Sequence, residues 1–203
     1  MKNRKWVILT LTILFIFLSI SVKFNWLENI DNLAYSLITL NINSLITSTY
    51  KIITFLGSTK FIIFLCIFFL VLFVILKKKN IGFIVTGSII VSTIVNNLLK
   101  IIVMRERPNV LKFVHESSYS FPSGHTMAAV TMYGILMYIV LKSNLNKKLK
   151  IFLAVLLGFI PILVGLSRVY LGAHFITDVV GAFIVSIILL LIETYYIDKN
   201  EWI

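Results

Sequence analysis

Apolar residues run almost unbroken through six stretches, residues 6–21, 61–76, 81–103, 126–141, 151–166 and 175–192, and the polar residues gather in the gaps between them. A helix needs roughly 20 apolar residues to cross a hydrocarbon core about 30 Å thick. A bilayer offers the backbone no hydrogen bonds, so runs of this kind are expected to be helical. The pattern therefore predicts an all-α polytopic membrane protein, with six transmembrane helices in a single domain covering residues 1–203. Residues 23–60 are too polar for an easy span. Within them Leu27, Ile30, Leu33, Ala34, Leu37 and Ile38 recur at helical spacing, which predicts an interfacial amphipathic helix; a surface connector is the other reading of this segment.

Composition supports the membrane reading. The chain is 59% hydrophobic and 13% charged, with a mean hydropathy of +1.00, whereas a soluble domain carries roughly 25% charged residues. Nineteen Lys and Arg against eight Asp and Glu leave a formal charge of +11. In a soluble chain that excess would suggest nucleic acid. Here the cations sit between apolar runs, so the expected partner is the anionic headgroup layer of the bilayer and not a nucleic acid. Cys66 is the single cysteine and lies inside an apolar run, which excludes an intramolecular disulfide and suggests packing. The basic start of the chain followed by an apolar run could be a signal peptide, but the run is long and no small-x-small site precedes Lys23. A retained first membrane helix is expected.

Loop cations set the expected orientation. One face gathers Lys2, Arg4, Lys5, Lys77, Lys78, Lys79, Lys142, Lys147, Lys148, Lys150 and Lys199; the other has Lys23, Lys51, Lys60, Lys100, Arg105, Arg107, Lys112 and Arg168. The bias places both termini in the cytoplasm, with Trp6, Tyr195, Tyr196 and Trp202 at the inner interface and Trp26 at the outer one.

Ionisable residues are costly in a membrane chain, so their positions carry information. Three clusters stand out: Lys100 to Arg107-Pro108 at the end of the third run, Pro122-Ser123-Gly124-His125 at the start of the fourth, and Ser167-Arg168 to His174 and Asp178 between the fifth and sixth. If six helices alternate in direction, all three clusters emerge on the same side. Lys100, Arg107 and Arg168 would supply fixed positive charge, and arginine's planar fork matches phosphoryl oxygens. Pro122 to His125 reads as a helix start whose free N–H groups face an anion, with Gly124 allowing close approach and the Ser123 hydroxyl adding a donor. His174 and Asp178 are four apart, one face of a helix. The carboxylate would fix the imidazole tautomer and leave the other nitrogen to attack, while His125 protonates the leaving oxygen. His115, Glu116 and Arg105 lie nearby with no spacing argument, and Asn96 and Asn97 read as interhelical hydrogen-bonders. Pro161 reads as a kink.

These residues resemble the type 2 phosphatidic acid phosphatase superfamily, whose signature is K-x6-R-P, P-S-G-H and S-R-x5-H-x3-D. Every fixed position is matched between residues 100 and 178. The stretch "VHESSYSFPSGHTMAA" is similar to bacterial members called phosphatidylglycerophosphatase B, and the six-helix layout resembles bacterial members generally, undecaprenyl pyrophosphate phosphatases included. The resemblance implies a phosphatase that needs no metal or other cofactor and works through a phosphohistidine on His174. Asp178 positions that residue, His125 is the acid, and Lys100, Arg107, Ser123, Gly124 and Arg168 hold the phosphate oxygens. The expected substrate is a membrane lipid phosphate: phosphatidylglycerophosphate, undecaprenyl pyrophosphate or phosphatidic acid. It would be cleaved at the outer face of a bacterial plasma membrane, with no obligatory protein partner. Three other readings remain: a phosphatase of soluble esters, a lipid or ion transporter, and a vanadate-dependent haloperoxidase, whose site resembles this one. A transporter would put its ionic groups near the bilayer midplane, whereas these gather at one end.

Overall fold

The computed structural model describes residues 2–114 and 116–200, and these form eight α-helices with no strand among them. Helices α1 (Lys2–Lys23), α4 (Thr59–Ile75), α5 (Lys79–Val103), α6 (Gly124–Lys142), α7 (Lys147–Tyr170) and α8 (Ile176–Lys199) correspond to the six apolar runs. Five of them are long and apolar enough to cross a membrane alone. The sixth, α4, has 17 residues, about 25 Å at 1.5 Å per residue. Together with the helix before it, α4 is also long and apolar enough, the two being bent by 41° at their junction. Trp202 and His115 lie outside the described residues.

Residues 23–60 form two helices where the pattern predicted one. The expected amphipathic helix is α2 (Glu28–Ile38), which presents Ile30, Leu33 and Leu37 outward and packs its other side on α7 and α8. The second, α3 (Ser44–Phe55), starts at Asn43, whose side chain accepts from the Ile46 N–H at 2.8 Å, satisfying a first-turn donor. Its pattern is inverted: Thr47 and Thr54 are buried against α7 while Leu45 and Ile52 are exposed. An apolar stripe could not find a helix that buries its polar side.

Helix α6 sits centrally and touches α4, α5, α7 and α8. Its buried Met132, Ile135 and Leu136 pack with Ile62, Val85 and Ile89. The α3–α4 elbow abuts the start of α6. A Cβ at Gly57 would come within 2.8 Å of the His125 carbonyl oxygen, so only glycine lets the elbow sit there. Helix α5 ends at Met104 in the left-handed region (φ 54), and that reversal turns the following arginines back over the bundle. Gly172, at φ +69, makes the turn between α7 and α8, a conformation glycine adopts without strain. Phe113 N–H donates to the Leu171 carbonyl at 3.1 Å, tying the long α5–α6 loop to this turn.

Candidate active site

The last turn of α5, the start of α6 and the α7–α8 turn meet at one end of the bundle. Lys100, Arg107, Glu116, Gly124, His125 and His174 line a common cleft of about 600 Å³. The cleft continues between α4 and α5 along Ile62, Ile63, Ile67, Ile89 and Ile90. One end of it is cationic, and the rest is mainly apolar with Thr86, Thr93 and Asn97 among its lining.

His174 is 2% exposed, and its two ring nitrogens have different surroundings. Nδ1 lies 3.2 Å from Asp178 Oδ2 and 3.3 Å from the Ser120 hydroxyl. Nε2, on the other side, lies 3.3 Å from an Arg107 nitrogen. A carboxylate accepting from Nδ1–H leaves the Nε2 lone pair available. Burial pulls the imidazole from 6.5 down to about 4, with Asp178 acting the other way, so the ring is neutral at physiological pH.

Asp178 is fully buried at the third position of α8, where the helix dipole favours an anion. Its Oδ2 accepts from the Phe175 N–H at 3.0 Å and from the Ser120 hydroxyl. Its Oδ1 accepts from Arg105 at 2.6 Å.

Lys100 and Arg107 are held by carbonyls and hydroxyls. Lys100 Nζ donates to the Tyr119 carbonyl and to Ser118 Oγ at 3.3 Å. Arg107 donates to the carbonyls of Ser118 and Ala173, each at 2.7 Å. Arg168, 1% exposed, reaches Thr54 Oγ1 at 2.9 Å and pairs with Glu116. Its Nε is buried without a hydrogen-bond partner among the described residues. Glu116 also lies 3.9 Å from His125 Nδ1. Gly124 opens α6, so the first-turn N–H groups beside His125 have no intrahelical acceptor. Ser123 is turned inward: its hydroxyl pairs with Thr126 at 2.9 Å and its N–H donates to the Asp178 carbonyl at 3.2 Å. It binds α6 to α8 in this arrangement and does not line the cleft. No group of three or more His, Cys, Asp and Glu among the described residues is placed to hold a metal ion.

The geometry invites comparison with known proteins. A profile described as the PAP2 superfamily matches residues 81–202, more than half of the chain. The chain belongs to the PAP2 superfamily. Phosphatidylglycerophosphatase B of Bacillus subtilis (strain 168) is 41% identical to this PAP2 chain over 107 residues, which make up 52% of the chain and 53% of that relative. The match thus spans about half of the relative's length. The crystal structure of a transmembrane PAP2 type phosphatidylglycerolphosphate phosphatase from Bacillus subtilis superposes with a TM-score of 0.88 at 30% identity, covering 96% of this chain and 97% of that one. LpxE of Aquifex aeolicus superposes with a TM-score of 0.64 at 25% identity, covering 80% and 93%.

The structure brings together Lys100, Arg107, Gly124, His125, Arg168, His174 and Asp178, and adds residues that the motifs do not contain. Ser120 on the long loop and Thr54 on α3 touch Asp178 and Arg168. Asp31 on α2 is 1% exposed and bonded to Arg105 and Thr177. Asp31 to Thr177 is a separation of 146 residues, and no local spacing carries such a contact. The available signal was an acidic residue on a short amphipathic helix. Asn96 bridges helices as expected, donating to Met127 Sδ on α6 at 3.1 Å and also to the Pro122 carbonyl at 3.1 Å, whereas Asn97 is exposed and lines the cleft.

Proposed function

We propose that this chain is a membrane lipid phosphatase. The observation that carries the reading is that His174, backed by Asp178, shares one cleft with Lys100, Arg107 and His125. His174 Nε2 attacks phosphorus; the N–P bond forms as the bond to the lipid oxygen breaks, and His125 gives that oxygen its proton. Water then attacks the phosphohistidine, His125 takes the water's proton, the N–P bond breaks and inorganic phosphate leaves. Lys100, Arg107, Arg168 with its spare Nε, and the N–H groups opening α6 at Gly124 hold the equatorial oxygens; Ser123 fixes that helix start. These cations supply the charge stabilisation, so no metal enters the scheme. Asp178 holds the Nδ1 proton throughout.

The cleft supports a lipid substrate. Its apolar reach between α4 and α5 would receive a hydrocarbon tail while the phosphate stays at the cationic end. On α5 the residues Thr86, Ile90, Thr93, Asn97 and Lys100 line it at helical spacing. Asn97 and Thr93 lie about 4.5 and 10.5 Å below Lys100 along the axis. Hydrogen-bonding groups at that depth suit the glycerol and ester region of a glycerophospholipid better than a polyprenyl tail. With the Bacillus subtilis relative and the solved Bacillus subtilis structure both named for phosphatidylglycerophosphate, this favours phosphatidylglycerophosphate over undecaprenyl pyrophosphate. The loop cations favour a site on the outer face of a plasma membrane with cytoplasmic termini.

The test is phosphate release in mixed micelles from phosphatidylglycerophosphate, phosphatidic acid, undecaprenyl pyrophosphate and a soluble monoester, for wild type and His174→Ala. The glycerophospholipid is expected to give the highest kcat/KM. His174→Ala should lose at least about a thousandfold in kcat, in keeping with removal of a covalent nucleophile. Full activity of that variant sinks the mechanism; preference for the soluble ester sinks the lipid reading.

A further inference from the structure

Arg105 stands between two buried carboxylates. One guanidinium nitrogen meets Asp178 Oδ1 and Thr177 Oγ1 at 2.6 and 2.7 Å, and the other meets Asp31 Oδ2 at 2.6 Å. Its side chain is 8% exposed and both carboxylates are 0%. Its plane lies over the Phe175 ring at 3.9 Å. Asp31 in turn accepts from the Thr177 N–H at 3.0 Å in the first turn of α8. A continuous chain of polar contacts thus runs from α2 through Asp31, Arg105 and Asp178 to His174.

We propose that Arg105 and Asp31 are positioning residues for the reaction, acting on His174 through Asp178. The proposal rests on His174 being the nucleophile. A carboxylate can rotate about its last bond, and Asp178 must keep one oxygen on Nδ1. Arg105 takes the opposite oxygen and so sets the plane of the group, leaving Oδ2 to the imidazole. Only a fork can do this while also holding Asp31, because a lysine ammonium offers a point charge with no fixed plane. Asp31 fixes the guanidinium from the far side and fastens it to α2, whose outer face carries Ile30, Leu33 and Leu37. A displacement of about 1 Å at a catalytic group can cost up to about 100-fold in rate, so loss of this bracket would reach the chemical step without touching substrate.

The experiment compares wild type, Arg105→Lys and Asp31→Asn in detergent, measuring kcat, KM, thermal melting and the single-turnover rate of phosphoenzyme formation. Arg105→Lys keeps the charge and loses the fork; kcat and phosphoenzyme formation should fall about tenfold with KM within about twofold. Asp31→Asn keeps the Thr177 hydrogen bonds and should lose about threefold in the same two rates. If Arg105→Lys does not fold, Asp31→Asn alone decides. Unchanged rates overturn the proposal, as does a rise in KM alone, or a loss of activity that merely tracks loss of folded protein. Failure of the wild type itself to release phosphate, or full activity of His174→Ala, strikes the proposed function instead and is read before the variants are compared.

Discussion

Two ionic clusters occupy opposite ends of the helix bundle, and they use the same chemistry differently. Asp31 and Asp178 meet Arg105 at 2.6 Å with all three side chains almost wholly buried. At the other end Asp198 meets Lys142 at 2.6 Å and Arg4 at 3.7 Å, and accepts from Tyr138 at 2.6 Å. There the side chains are 29–48% exposed. Distance alone does not separate the clusters; burial does. An exposed pair gains little, since water and salt screen it. A buried pair need not stabilise more than apolar residues would, but removing one partner strands the other without solvent. Such a cluster is therefore rigid and sensitive to mutation, and it is the one beside His174.

The comparison can be broken most directly at the buried end. Asp31→Ala should cost about 1–3 kcal/mol, because Arg105 keeps Asp178 as its counter-charge while its second nitrogen and the Thr177 N–H lose their buried acceptor; thermal melting checks this. A loss below about 1 kcal/mol would mean that the two clusters are equivalent. A smaller effect concerns titration. His174 binds its proton less readily when folded than in an unfolded chain, with a folded value of about 4 against 6.5. Between those values the unfolded imidazole carries a proton that the folded one lacks, so stability should rise with pH across that window. Nitrogen-15 NMR of labelled histidines, with His174→Ala for assignment, should place its midpoint below 6.5; a midpoint at or above that value contradicts the buried setting. The least effect belongs to the exposed end. Asp198→Ala should cost under about 1 kcal/mol, and less in high salt, with phosphate release unchanged. A loss of several kcal/mol there would erase the distinction.

Much of the architecture was legible because a bilayer imposes long apolar runs on any helix that crosses it. The ends of α1 and α4–α8 lie within about four residues of the runs that predicted them, except that α8 continues seven residues beyond its run to Lys199. Helix α3 was not legible, since Thr47 and Thr54 point inward to Tyr170 and Arg168 and reverse the sign of the pattern. Of the candidate site, Lys100, Arg107, His125 and His174 could be read from motif spacing, and alternating helices brought them to one end. Ser123 was read as a donor to phosphate from its place in the motif; its pairing with Thr126 and with the Asp178 carbonyl had no counterpart in the spacing. Arg105 and Ser120 had no signature, and Asp31 only that of an acidic residue on a short amphipathic helix.

By itself the sequence determined a multi-pass all-α chain with its three motif clusters at one end, because hydrophobic length and helical spacing are local properties. Only the tertiary structure decided which carboxylate each cation meets, which His174 nitrogen faces the cleft, and that a short amphipathic helix reaches the back of Asp178. Those contacts join residues far apart in the chain, and packing alone selects them.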